Sequence, residues 1–86
     1  MPELARFYGI IIKMYFVDHN PPHFHADYGE YRAEYDIQSL DLINGKFPRR
    51  AHALVIEWAS IHKSELLENW ERAQQAVLLK KIRPLE

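Results

Sequence analysis

The chain has 86 residues, 48% hydrophobic and 27% charged, which is ordinary for one small globular domain. A chain of this length buries only about 60% of the surface its unfolded form exposes, so its core is thin. The net charge of −1 argues against a whole-surface footprint for nucleic acid and leaves room for a local basic patch. The lack of cysteine excludes disulfides, a thiolate nucleophile and a Cys-type zinc site.

The opening MPELARFYG lacks the charged region, apolar run and small-residue cleavage site of a secretion signal. The longest apolar stretch, Gly9 to Val17, is broken by Lys13 and is too short to span a bilayer. The expectation is a cytoplasmic protein with no membrane partner. Phe7 to Phe16, FYGIIIKMYF, reads as a first, central strand, since an isoleucine run with aromatics suits a pleated, buried setting. Alternation places Tyr8, Ile10, Ile12, Met14 and Phe16 on one face and Gly9, Ile11, Lys13 and Tyr15 on the other.

The connection VDHNPP follows. Asp18 and Asn20 are turn formers, and two prolines stiffen the entry to the next strand. His23 to Ile37 reads as a hairpin around a type II′ turn at Gly29-Glu30. That register pairs Tyr28 with Tyr31, Ala26 with Ala33 and Phe24 with Tyr35 on an apolar face. It pairs Asp27 with Arg32, His25 with Glu34 and His23 with Asp36 on a polar face. The two sets agree in polarity, and a slip of one residue would turn the histidines into the core. Asn44-Gly45 is a turn signal for a second, shorter hairpin.

Pro48 suits the first turn of a helix. Ala51, Leu54, Val55, Trp58 and Ala59, then Leu66, Leu67, Trp70, Ala73 and Val77, recur at helical spacing. Either one helix runs from Arg49 to Ala76 or a break near His62 makes two; two is the better fit to a domain of this size. Pro84 stops any helix, and Leu78, Leu79, Ile82 and Leu85 form an apolar tail able to meet the sheet or another chain. The expected architecture is α+β within a single domain, 1–86. A small, mainly antiparallel sheet of three to five strands (β-rich 5–47) packs one or two helices (48–77) on one face, followed by an extended tail (78–86). Tyr8, Tyr28, Tyr31, Tyr35, Trp58 and Trp70 read as core, and His52 and His62 as surface or boundary positions.

Three of the five histidines fall in DHNPPHFHAD, residues 18–27. His23, His25 and Asp27 share one strand face, and neighbours two residues apart lie about 6.5–7 Å apart along a strand. Three readings are open. Imidazoles with a carboxylate suit a divalent transition metal, here His19, His23, His25 and Asp27, with Glu34 as a further candidate. Paired histidines also suit acid–base cleavage of RNA without a metal. In that reading His23 and His25 act as acid and base with Arg32 on phosphate, and Lys13, Arg49 and Arg50 are further phosphate contacts. The surrounding Asp18, Asp27, Glu30, Glu34 and Asp36 oppose that reading. The third is structural: cross-strand His–acid pairs stabilise a hairpin without any further role.

The stretch PELARFYGIIIKMYFVDHNPPHFHADYGEYRAEYDI resembles a family of small prokaryotic proteins classed as a domain of unknown function, whose hallmark is DHxPPHFHAxYGEYxA. FPRRAHALVIEWASIHKSELLENWERA and LLKKIRPLE extend the resemblance over essentially the whole chain. The hallmark falls on Asp18, His19, Pro21, Pro22, His23, Phe24, His25, Ala26, Tyr28, Gly29 and Glu30. The resemblance implies a genetic setting, not an activity: a partner small protein encoded nearby, in toxin–antitoxin-like pairs. A second copy of the chain and RNA are the other expected partners. Thr, Lys or Arg would serve a solvated strand face as well as two histidines do, and that excess favours a site.

Overall fold

The computed structural model describes residues 2–86. Five strands form one antiparallel sheet in sequential order: β1 (Glu3–Phe7), β2 (Ile10–Lys13), β3 (His23–Tyr28), β4 (Tyr31–Asp36) and β5 (Leu42–Gly45). Two helices follow, α1 (Arg49–Ile61) and α2 (Lys63–Gln74), so the fold is α+β. The break between them falls at His62, whose φ of −112° and ψ of 25° leave the helical region.

The β3–β4 register pairs the six expected couples, from His23↔Asp36 to Tyr28↔Tyr31. Gly29 supplies the positive φ, +58°, of the two-residue turn, and Glu30 does not share it, as a type II′ turn requires. Ile10, Ile12, Met14, Phe24, Tyr35 and Ile37 are fully buried beneath Val55, Trp58, Ala59, Leu66 and Ala73. Trp58 lies at the centre of this core, against Phe7 and edge-on to Phe24. Leu54 and Leu67, expected in the core, sit at its margin.

Four features differ from the sequence expectation. Phe7 to Phe16 is not one strand. Tyr8 and Gly9, with φ of +49° and +81°, make a tight turn that folds β1 back on β2. Two consecutive positive φ values define a turn whose twist matches that of the strands, and a tyrosine there is an unusual occupant. Asn44-Gly45 is not a turn either: Asn44 pairs with Glu34 and Gly45 with Ala33 in the β4–β5 ladder. The glycine serves close approach instead, since a Cβ at Gly45 would stand 2.1 Å from the Arg32 carbonyl oxygen. Tyr8, Tyr28 and Tyr31 are exposed rather than core, because they flank the turns at one end of the sheet.

The fourth difference is His23. It was expected on a solvated face and is 97% buried, with Trp70 of α2 against its ring. The C-terminal end of α2 reaches the start of β3 because the 14–22 connection ties to it. The Val17 N–H donates to the Ala73 carbonyl at 2.9 Å, and Gln74 Nε2 donates to the Asp18 carbonyl at 2.8 Å. The tail returns to its own domain: Ile82 is buried and its N–H donates to the Leu4 carbonyl on β1.

Candidate metal centre

β3 begins immediately after Pro22, so its first and third residues, His23 and His25, point to the same side. The 14–22 connection folds over them and delivers Asp18. Its Oδ2 stands 3.0 Å from His23 Nε2 and 3.5 Å from His25 Nε2. One ligand atom from each of Asp18, His23 and His25 lies within 4.8 Å of the other two. Ligand atoms about 2.05 Å from a tetrahedral ion are spaced about 3.4 Å apart, close to the 3.0 and 3.5 Å between Asp18 Oδ2 and the two histidine Nε2 atoms. Glu34 Oε1 is a further acceptor 3.8 Å from His23 Nε2.

The His23 ring is oriented by its other nitrogen. Nδ1 lies 2.7 Å from the Pro21 carbonyl oxygen. A carbonyl only accepts, so Nδ1 carries the proton and donates. In a neutral ring Nε2 is then a bare lone pair facing a carboxylate oxygen. Two acceptors at 3.0 Å repel unless a cation, a proton or a metal ion, stands between them. Metal-bound histidines make this kind of outer hydrogen bond, which fixes the tautomer and the ring plane.

The electrostatics suit a neutral imidazole beside an ionised carboxylate. Burial pushes the His25 proton affinity below its ordinary value, and this outweighs the raising effect of Asp18 and Glu34. For Asp18, burial acts upward. The His19 backbone N–H, the nearby His23 and His19 and the hydrogen bond from His25 together overcome it, so its carboxyl is held below the usual range. The Tyr15 ring meets the His25 ring edge-on at 4.5 Å.

Of the residues singled out from sequence, His23 and His25 come together. His19 has a side chain 90% exposed and its Nδ1 on Asp18 Oδ1, outside the three-ligand group. Asp27 is ion-paired with Lys13, so both are engaged with each other. Arg32 is exposed on β4, opposite Asp27. Arg49 and Arg50 start α1, and Arg50 lines a cavity with Tyr28, at the other end of β3 from His23. Asp18 falls in the family hallmark, but from its own chemistry it reads as a turn former and an opposing charge, not as a ligand. Its five-residue separation from His23 across a double proline was the available signal, and only the path of the connection reveals its direction.

Val17, just before Asp18, has φ +50° and is 66% exposed. A β-branched residue in the left-handed region is strained, and such strain clusters at functional sites. Residues 9–71 match the family model described as a domain of unknown function, DUF4160, and the chain belongs to that family. No curated protein and no solved structure matches it. No helix among the described residues is long and apolar enough to cross a membrane.

Proposed function

We propose that this domain is a metal-binding module in which Asp18, His23 and His25 hold one divalent transition ion, with Glu34 the nearest candidate for a fourth ligand. The observation that carries the reading is the fixed His23 ring, whose Nε2 faces the Asp18 carboxylate at 3.0 Å while Nδ1 is spent on Pro21. Two imidazoles and a carboxylate suit zinc, nickel or ferrous iron better than magnesium or calcium, which take oxygen ligands. A bound ion would act as a Lewis acid or as a structural clip between the 14–22 connection and β3. The module acts in the cytoplasm within a two-protein, toxin–antitoxin-like pair, the setting that the family resemblance implies, or as a homo-oligomer.

Metal-free RNA cleavage by His23 and His25 has less support. His23 is 3% exposed, Lys13 is taken by Asp27, and Asp18 and Glu34 surround the two rings with negative charge.

Calorimetric titration of chelator-treated protein with Zn²⁺ tests the proposal. One equivalent bound, a melting temperature that rises with zinc, and loss of both in Asp18→Asn are expected. Zinc binding of equal strength in Asp18→Asn and His23→Gln variants that remain folded would overturn it.

A further inference from the structure

We infer that the end of the sheet opposite the histidines is a binding surface for single-stranded nucleic acid. His23 and Tyr28 are the two ends of β3, about 17 Å apart along the strand, so this surface is separate from the metal centre. Three turns or termini meet here. The Tyr8-Gly9 and Gly29-Glu30 turns are joined through the Ile10↔Tyr28 pair, and the end of β5 is joined through the bond from the Lys46 N–H to the Arg32 carbonyl.

Arg32, Lys46, Arg49 and Arg50 are all exposed, and none forms an ion pair among the described residues. Glu30, in the turn, and Glu34, which borders a cavity with Arg32, are the opposing carboxylates, and the Asp27 carboxylate is already taken by Lys13. Arg50 borders the cavity beside Tyr28 and Arg49 precedes it on α1, while Arg32 lies on the other face of the sheet, opposite Asp27. Aromatic rings stand at this end as well: Tyr8, Tyr28 and Tyr31 are 60%, 37% and 47% exposed. Tyr8, Tyr28 and Arg50 border one cavity of about 280 Å³ floored by Ala51 and Leu54.

Cations that follow a phosphate backbone, interleaved with rings on which bases stack, are the physical requirement for binding a single strand without reading its sequence. Tyrosine and arginine also serve protein interfaces, and it is the base-sized cavity bordered by two tyrosines and an arginine that favours a single strand here. A duplex hides its base faces and would not use the rings. The cavity between Tyr8 and Tyr28 is of a size to take one base, with Arg50 placed for the adjoining phosphate.

Fluorescence anisotropy with labelled 12-mer single-stranded RNA, single-stranded DNA and duplex RNA tests this on the full chain. Both single strands should bind better than the duplex. A preference for RNA over DNA identifies the ribose hydroxyl as a contact, and equal binding identifies base and phosphate alone; each is consistent with the surface. Affinity should fall with salt with a log–log slope of about −2 to −3, as for three or four phosphate contacts. Arg49→Ala/Arg50→Ala should weaken binding about tenfold. Tyr8→Asn keeps a residue suited to positive φ while removing the ring, and should weaken it about fivefold or more. Lys81→Ala, elsewhere on the molecule, should have no effect. Absence of binding at low salt overturns the inference. So does binding that Tyr8→Asn leaves unchanged and that polyglutamate competes away equally well, because the surface would then be a site for any polyanion, an acidic protein included.

Discussion

The Val17 N–H donates to the Ala73 carbonyl at the end of α2, 2.9 Å away, and this bond fixes the connection that carries Asp18 to the histidines. Gln74 holds the next carbonyl, so a helix distant in sequence sets the position of a carboxylate. The bond depends on the backbone of Val17 and not on its side chain, which is largely exposed and held at φ +50°. Val17→Asn should relieve that strain, because asparagine tolerates the left-handed region. A gain of about 1 kcal/mol, or about 4–8 °C in melting temperature, is expected with zinc affinity unchanged. A loss of stability in this variant would show that residue 17 does not occupy the left-handed conformation.

The two shifted groups of the site set a pH dependence of stability. His25 has its folded value depressed below 6.5, so the unfolded chain takes up a proton first as pH falls. Its contribution is complete above pH 6.5 and is lost as pH drops through the folded value. Asp18, depressed below 3.8, likewise contributes fully above 3.8 and loses its contribution at lower pH. Urea midpoints of the metal-free protein should therefore fall in two stages on acidification, beginning below about pH 6.5 and again below about pH 3.8. His25→Gln should remove the first stage alone. A midpoint flat from pH 7 to pH 5 in the parent chain would contradict a partly buried, neutral His25.

The hairpin was legible because two signals agreed. A glycine at the turn and an alternation of polar and apolar pairs fixed one register from Tyr28↔Tyr31 to His23↔Asp36. The helix break at His62 was legible from length alone, since SIHKS carries no glycine or proline. The Tyr8-Gly9 turn was not, because tyrosine seldom takes positive φ and the flanking apolar run read as continuous. Nor was the role of Asp18. Local chemistry made it a turn former, and only contacts from Ala73 and Gln74, more than fifty residues on, aim it at β3. Burial of His23 was missed for the same reason, since Trp70 of α2 covers it.

Gly45 has a steric role that its neighbour Asn44 disguised. A Cβ there would meet the Arg32 carbonyl oxygen at 2.1 Å and the Ala33 Cα at 3.0 Å, and its φ is +84°. Both obstacles are backbone, so neither can rotate away. Gly45→Ala should cost about 2–4 kcal/mol by forcing β5 off β4. Hydrogen exchange should show the loss concentrated in Leu42–Gly45, with the β1–β2 pairing retained. A variant as stable as the parent would mean that β5 is not paired in this register.

The apolar tail is bound to its own domain, which changes what its removal should do. Ile82 is buried, Lys80 exchanges two hydrogen bonds with the Asn69 side chain, and the Arg83 carbonyl accepts from Trp58 Nε1 at 2.8 Å. Truncation after Ala76 exposes the surface under Ile82, worth about 1.5–3 kcal/mol. It also strips the partners from buried Asn69 and from the central tryptophan, at about 1 kcal/mol or more for each bond. A total near 5 kcal/mol is comparable to the whole stability of many domains of this size. The truncated chain should therefore be unfolded or molten at 37 °C by near-ultraviolet circular dichroism, before any partner is considered. A well-folded truncated chain that has merely lost a partner would instead assign the tail to an intermolecular contact. Trp58→Phe separates the terms: it keeps most of the packing, removes the bond to Arg83, and should cost about 1–2 kcal/mol.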